Sequence, residues 1–144
     1  MEMKKEIEEL LVQKAGEAKE YSYSPYSGFR VGAAILTKSG RIYTGCNIEN
    51  AAYTPTNCAE RTAVFKAVSE GEREFLAIAV CGDGEDYLAP CGVCRQVLLE
   101  FTEPETFQVL MAAKSGNYRK MTLAKLLPES FSKNNLSVSS DSKI

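Results

Sequence analysis

Three of the five cysteines have the spacing of a metal site. Cys91 and Cys94 form a C-x-x-C pair, which alone fits either a redox dithiol or half of a metal site. Cys58 adds a third thiol, and the apolar periodicity predicts that it opens one helix while the C-x-x-C pair opens the next. Because helix N-termini favour thiolates, these three side chains are candidate zinc ligands.

Two residues beside Cys58 could complete a catalytic zinc site. Three protein ligands leave a fourth position for water, whose pKa zinc lowers toward about 7. Glu60 could take a proton from that water and pass it to a leaving amine, a role worth about 10²–10⁴-fold in rate. Three thiolates would leave a divalent site with a net negative charge. Arg61 could offset this charge by donating hydrogen bonds to the ligand sulfurs.

The composition limits the other functions available. The chain of 144 residues contains no histidine, so a transition-metal site must rely on thiolates and carboxylates. The hydrophobic share of 44% and charged share of 25% are typical of a soluble globular protein. A net charge of −2 without a basic cluster argues against a nucleic-acid partner. An odd cysteine count, a charged start and no long apolar run predict a cytoplasmic protein without membrane association.

The hydrophobic patterns place these residues in an α/β order. The elements expected are an amphipathic helix at 4–20, strands at 29–37 and 41–47 that form a hairpin, a helix at 58–70, a strand at 75–81, a helix at 91–101, a strand at 106–113 and a short helix at 121–127. Helices between strands generally cover a partly parallel sheet, so we expect a layered α/β fold. The composition predicts one domain over 1–131 and a flexible tail over 132–144.

The motifs resemble a known family. Cys58-Ala59-Glu60-Arg61, followed by Pro90-Cys91-Gly92-Val93-Cys94-Arg95-Gln96, is similar to the small cytidine deaminases whose zinc is held by cysteines alone. Further matching segments are Ser24–Ser27, Phe29–Ala34, Gly45–Tyr53 and Leu126–Pro128. The resemblance implies a three-layer α/β/α fold with a mixed central sheet flanked by helices, and one Zn²⁺ per subunit.

The resemblance also implies a reaction. Zinc-bound hydroxide would attack C4 of cytidine or 2′-deoxycytidine, with Glu60 as proton shuttle, to give the uridine product and ammonia in pyrimidine salvage. The positions that match the family's ribose-binding residues are Asn47 and Glu49. Phe29 would pack on the base, and the Ala59 backbone N–H would meet the pyrimidine O2. A carboxylate such as Glu49 suits a neutral sugar and repels a 5′-phosphate, so nucleosides are favoured over nucleotides.

The same resemblance implies an oligomer. Family members of this length are generally homotetramers with shared active sites, into which aromatic side chains enter from neighbouring subunits. Tyr53 and Phe131 are the matching residues. The Asn- and Ser-rich sequence after Phe131 departs from the usual ending of the family.

Several alternatives remain open at this point. A structural zinc could take Cys46 or Cys81 as a fourth ligand, and a thioredoxin-like dithiol would not need Cys58. Other functions are a deaminase of a cytosine-bearing antibiotic such as blasticidin, an editing deaminase of RNA or DNA, and a zinc-stabilised binding module. Phe29 could be an ordinary core residue, and Arg61 could be exposed on the surface.

Overall fold

A computed structural model describes residues 3–136. The strands of this part of the chain form one mixed five-stranded sheet. Its strands are β1 (Val31–Thr37), β2 (Ile42–Cys46), β3 (Phe75–Gly82), β4 (Gln108–Ala112) and β5 (Tyr118–Thr122), in the order β2-β1-β3-β4-β5. β3 and β4 pair in parallel, whereas the other neighbouring strands are antiparallel. The helices are α1 (Lys5–Ala18), α2 (Ala59–Ser69), α3 (Gly92–Glu100) and α4 (Leu123–Leu126), with 3₁₀ turns at Lys19–Tyr21 and Lys133–Leu136.

The helices cover both faces of the sheet, because successive side chains of a strand point to opposite faces. In β1, Ala33 and Ile35 pack in a core that includes residues of α2 and α3. Their neighbours Ala34 and Leu36 pack in a second core with α1. The three-layer α/β/α fold with a mixed central sheet is therefore confirmed.

The predicted hairpin and most other elements are confirmed, but the end of the chain differs from the prediction. The short helix predicted at 121–127 is limited to α4, and residues Tyr118–Thr122 instead form β5 beside β4. β5 lies at the edge of the sheet, and none of its residues is fully buried. Such a strand carries no apolar alternation, which is why the sequence pattern did not reveal it.

The region after the predicted domain is described only in part. The 3₁₀ turn Lys133–Leu136 falls within the predicted tail, whereas residues 137–144 of that tail lie outside the described residues. The single domain over 1–131 stays a prediction. Within residues 3–136, no helix has the length and apolar character needed to cross a membrane.

Candidate active site

The three cysteines meet where two helices begin. Cys58 is the N-cap of α2 and Cys91 the N-cap of α3, both with extended backbone, and Cys94 lies in the first turn of α3. The Sγ atoms of Cys58 and Cys91 are 3.9 Å apart, and all three Sγ atoms lie within 4.8 Å of one another. The structure thus brings together the three predicted ligands, which lie up to 36 positions apart in the sequence.

The spacing of these sulfurs suits a tetrahedral zinc ion. With Zn–S bonds of about 2.3 Å, two sulfurs of a tetrahedron are separated by about 3.8 Å. In the described part of the chain, the group of candidate ligands has these three members only. Cys81 lies in the core beside α1 and its Sγ faces the Ala113 carbonyl oxygen at 3.6 Å, while Cys46 lies at the end of β2. The two cysteines considered as a fourth ligand are therefore not part of the cluster.

Arg61 contacts the ligand sulfurs one helical turn after Cys58. Its Nη2 donates a hydrogen bond to the Cys58 Sγ at 3.2 Å. The pKa of Cys58 is lowered to about 5, first by a hydrogen bond from the Cys94 thiol and then by Arg61, against the opposing effect of burial. Burial acts to lower the pKa of the Arg61 guanidinium, but its interactions with the Cys58 and Cys94 sulfurs outweigh burial and raise this pKa. The side chain therefore stays charged. The alternative of an exposed surface arginine is therefore wrong.

Glu60 is buried beside the cluster. Only 5% of the residue is exposed, although it lies in the first turn of α2. Burial raises the pKa of its carboxyl group to about 7, and the negative charge of Cys58 acts in the same direction. A carboxyl group with this pKa can both accept and release a proton near neutral pH, as a general acid and base must.

Phe29 lies at the surface against the end of β3, and not in the core. Phe29 is 38% exposed, and its ring faces the backbone of Gly82 and Gly84. Asn47 fastens the backbone beside it: the Asn47 Oδ1 accepts from the Val31 N–H at 2.9 Å, and Nδ2 donates to the Phe29 carbonyl oxygen at 2.9 Å. Since an amide NH₂ has two hydrogens, the Asn47 Nδ2 can donate one hydrogen bond besides that to Phe29.

Glu49 holds the loop before β1. Its Oε1 accepts from the backbone N–H groups of Tyr26 at 3.0 Å and Ser27 at 3.1 Å. The pKa of Glu49 is lowered, first by the hydrogen bond from the Ser27 hydroxyl, so the carboxylate is ionised. Ala59 is fully buried as the first residue of α2. The backbone N–H of such a residue has no partner within its own helix.

The two aromatic residues predicted to enter neighbouring subunits lie on the surface. Tyr53 is 70% exposed and packs edge-on against Tyr26, with ring centroids 6.2 Å apart. Phe131 is 61% exposed, and its carbonyl oxygen accepts from the Gln96 Nε2 at 2.8 Å. Their predicted contribution to a partner's site stays a prediction.

Two residues that bond to segments beside the site were missed in the sequence analysis. Arg95 donates through Nε to the Pro90 carbonyl oxygen and through Nη1 to the Leu126 carbonyl oxygen, both at 2.7 Å. It thereby joins the segment before Cys91 to α4. The Asp83 carboxylate accepts hydrogen bonds from Arg30, the residue after Phe29. For Arg95 the signal was its place directly after the C-x-x-C pair, whereas Asp83 lies in no recognised motif.

Known proteins share this architecture. The model of the cytidine and deoxycytidylate deaminase zinc-binding region matches residues 5–111. A cytidine deaminase of Sporosarcina psychrophila is 51% identical over 133 residues, covering 92% of this chain and 97% of that protein. A cytidine deaminase of Halalkalibacterium halodurans is 48% identical over 123 residues, covering 85% of this chain and 92% of that protein.

Solved structures agree with these sequence matches. The crystal structure of a cytidine deaminase from Burkholderia pseudomallei superposes with a TM-score of 0.82 at 44% identity, covering 90% of this chain and all of that one. The enzyme from Mycobacterium tuberculosis gives a TM-score of 0.73 at 42% identity, covering 85% of this chain and 94% of that one. The thiol cluster described above could bind one zinc ion. In sequence and in fold alike, the chain is a member of the cytidine and deoxycytidylate deaminase family.

Proposed function

We propose that this protein hydrolyses cytidine and 2′-deoxycytidine to uridine and 2′-deoxyuridine with release of ammonia. The observation that carries the proposal is the buried carboxyl group of Glu60 beside three converging thiols. Relatives that are named cytidine deaminases and extend over most of the chain support the same substrate. A redox dithiol would use one C-x-x-C pair and would leave Cys58 and Glu60 without a role.

The residues divide the work of the reaction among them. Cys58, Cys91 and Cys94 would hold one zinc ion, which when bound supplies Lewis-acid activation of water. Glu60 would carry the two protons of the attacking water in turn, one to ring N3 as the water oxygen bonds to C4 and the other to the amino nitrogen as the C4–N bond breaks and ammonia leaves. Arg61 balances the charge of the thiolates, because its guanidinium lies 3.2 Å from the Cys58 sulfur.

The remaining residues would bind the nucleoside. Phe29 offers an exposed ring face to the base, and the Ala59 N–H at the start of α2 offers a donor to the pyrimidine O2. The second amide hydrogen of the Asn47 Nδ2 can donate to the ribose, and the Glu49 carboxylate can accept from the sugar hydroxyls. Because the pKa of Glu49 is lowered, its negative charge would repel a 5′-phosphate.

The decisive experiment follows cytidine absorbance and ammonia release together with the zinc content of the protein. We expect cytidine and deoxycytidine to be converted by protein with one zinc per chain, and the activity to be lost after chelation and restored by zinc. Deoxycytidine 5′-monophosphate is the matched control substrate and should react poorly. Zinc-loaded protein that leaves cytidine unchanged while it deaminates another amine would contradict the proposed substrate.

We also propose a cytoplasmic homotetramer with shared active sites. A tetramer would cover large apolar side chains that are exposed in the single chain: Tyr21, Tyr23, Ile48, Tyr53, Phe65 and Phe131. A reducing compartment suits five free cysteines, three of which serve as metal ligands in this proposal. Light scattering of the zinc-loaded protein tests the assembly, and a monomer with full activity would contradict shared sites.

A further inference from the structure

The end of β3 is fastened to the segment that carries Phe29. One Oδ atom of Asp83 accepts from the Arg30 backbone N–H at 3.1 Å and from the Arg30 Nε at 3.0 Å, while the other accepts from Nη2 at 3.2 Å. The Asp83 N–H in turn donates to the Arg30 carbonyl oxygen at 3.1 Å. Side chain and backbone of Arg30 are thus both bonded to Asp83, and the Arg30 Nη1 also donates to the exposed Glu20 Oε1 at 3.3 Å.

The two neighbours of Asp83 leave room for the Phe29 ring. A Cβ atom on Gly82 would lie 2.9 Å from the Phe29 Cζ and 2.8 Å from the Leu88 Cδ2, which is closer than such atoms approach. A Cβ atom on Gly84 would meet the same ring at ordinary contact distance, 3.7 Å. The ring therefore lies against bare backbone at both glycines, which are the residues on either side of Asp83.

From these contacts we propose that Asp83, acting through Arg30, is a positioning residue that sets the place of the Phe29 ring in the pyrimidine site. The proposal rests on the proposed function, in which Phe29 packs on the base. Arg30 is the link because it follows Phe29 directly, and two bonds to the guanidinium with one to the backbone N–H fix its direction.

A buried cation supports the ionised form of this carboxylate. Lys19 is 6% exposed, and its Nζ lies 3.1 Å from the Asp83 Oδ1 and 3.5 Å from the Gly82 carbonyl oxygen. Asp83 therefore joins the end of α1, the end of β3 and the start of β1 at one point. On the other side, Asn47 bonds the backbone of Phe29 and Val31, so the segment between them is held from both neighbouring strands.

The first test is Arg30→Gln, because Arg30 is partly exposed and its loss leaves Lys19 paired with Asp83. We expect KM for cytidine to rise about 5- to 10-fold with kcat within about 2-fold, since misplacing a binding group weakens substrate and transition state alike. Asp83→Asn removes the negative charge and one of the two acceptor oxygens, and it should raise KM about 10-fold. Because both changes act through one contact, the double variant should stay within about 2-fold of Asp83→Asn.

Glu8→Gln provides the matched control. Glu8 is a buried carboxylate that accepts from Tyr118 and Lys120 at 2.7 Å each, on the α1 side of the sheet and away from Phe29. It should reduce stability but leave KM unchanged. If Arg30→Gln leaves KM within 2-fold of the unchanged protein, or lowers kcat instead, the positioning role is wrong. Should Asp83→Asn fail to fold, Arg30→Gln and its control decide the question alone.

A measurement without substrate separates this proposal from the proposed function. Fluorine NMR of protein labelled with fluorophenylalanine reports the Phe29 ring, whose signal is assigned by its loss in Phe29→Leu. A shifted or broadened Phe29 signal in Arg30→Gln, with the other signals unchanged, supports positioning even if cytidine proves not to be the substrate. An unchanged signal overturns the positioning role, whatever the activity of the protein.

Discussion

Two groups of residues meet at the candidate site, and their carboxyl groups are shifted in opposite directions. We call Cys58, Glu60, Arg61, Cys91 and Cys94 the proposed catalytic group, and Phe29, Arg30, Asn47 and Asp83 the proposed binding group. Burial raises the pKa of Glu60 to about 7, whereas hydrogen bonds from Arg30 lower the pKa of Asp83 to about 2. The carboxyl group that is proposed to exchange protons is desolvated, whereas the one that is proposed to position the chain is surrounded by hydrogen-bond donors.

Of the two shifted carboxyl groups, we expect the larger loss of activity from a substitution of Glu60. Glu60→Gln keeps the shape of the side chain but cannot carry the proton, so we expect kcat to fall by about 10²–10⁴-fold. The thiols are untouched, and zinc should remain at one per chain. Rate measurements beside metal analysis check this outcome. A variant that keeps full turnover with its zinc in place would show that Glu60 is not the proton carrier.

The sequence revealed the catalytic group more completely than the binding group. Cys58 and Arg61 are three positions apart at the start of α2, a spacing at which helical side chains are neighbours, and Glu60 lies in the same turn, so the predicted helix start placed all three near one another. Asp83 and Arg30 lie 53 positions apart, and they meet because β1 pairs with β3 in a register that aligns Val31 with Gly82. Such a register is a property of the whole sheet, and no local pattern encodes it.

The second prediction concerns the charge behind the ligands. Arg61→Gln removes the guanidinium from the Cys58 sulfur, so zinc affinity or kcat should fall by about 10- to 100-fold. Competition with a chelator measures the affinity, and steady-state kinetics measures kcat. Arg119→Gln, on an exposed position of β5, is the control and should change neither quantity. An Arg61 variant with normal affinity and rate would remove this residue from the catalytic group.

The third prediction concerns the binding group on the side of β2. Asn47→Ala removes both side-chain bonds to the Phe29–Val31 segment, so KM for cytidine should rise about 10-fold. Asn47→Asp keeps the acceptor for the Val31 N–H but sets a second oxygen against the Phe29 carbonyl. A comparison of the two variants therefore separates the effect of the bond to the Val31 N–H from that of the bond to the Phe29 carbonyl oxygen. Equal KM values in both variants and the unchanged protein would mean that Asn47 has no part in binding.

The smallest effects should appear in the pH dependence of stability of the metal-free protein. A raised pKa means that Glu60 favours folding in its protonated form, and this contribution is lost as the pH rises from about 4.5 to 7. Glu60→Gln should therefore exceed the unchanged protein in free energy of unfolding by about 1–3 kcal/mol at pH 8 and match it near pH 4. Urea titrations at both pH values measure the difference.

Asp83 should show the opposite sign. Its lowered pKa stabilises the fold above about pH 4, and this contribution is lost as the pH falls toward 2. Because its partner Arg30 is partly exposed and solvent screens the pair, we expect Arg30→Gln to lower the free energy of unfolding modestly at pH 6 and by less near pH 2. A stability difference that is constant with pH would show that the ion pair does not account for the shifted pKa.

The place of β3 between the two helices of the cysteine cluster has a consequence for the order of folding. Cys58 and Cys91 lie 33 positions apart, and β3, which separates them along the chain, pairs with β1 on one side and β4 on the other. Contacts between such distant segments form late, since loop closure must precede them. A metal held by these thiols would therefore bind a chain that has already assembled its sheet, and it would prolong the lifetime of the native state more than it would hasten its formation.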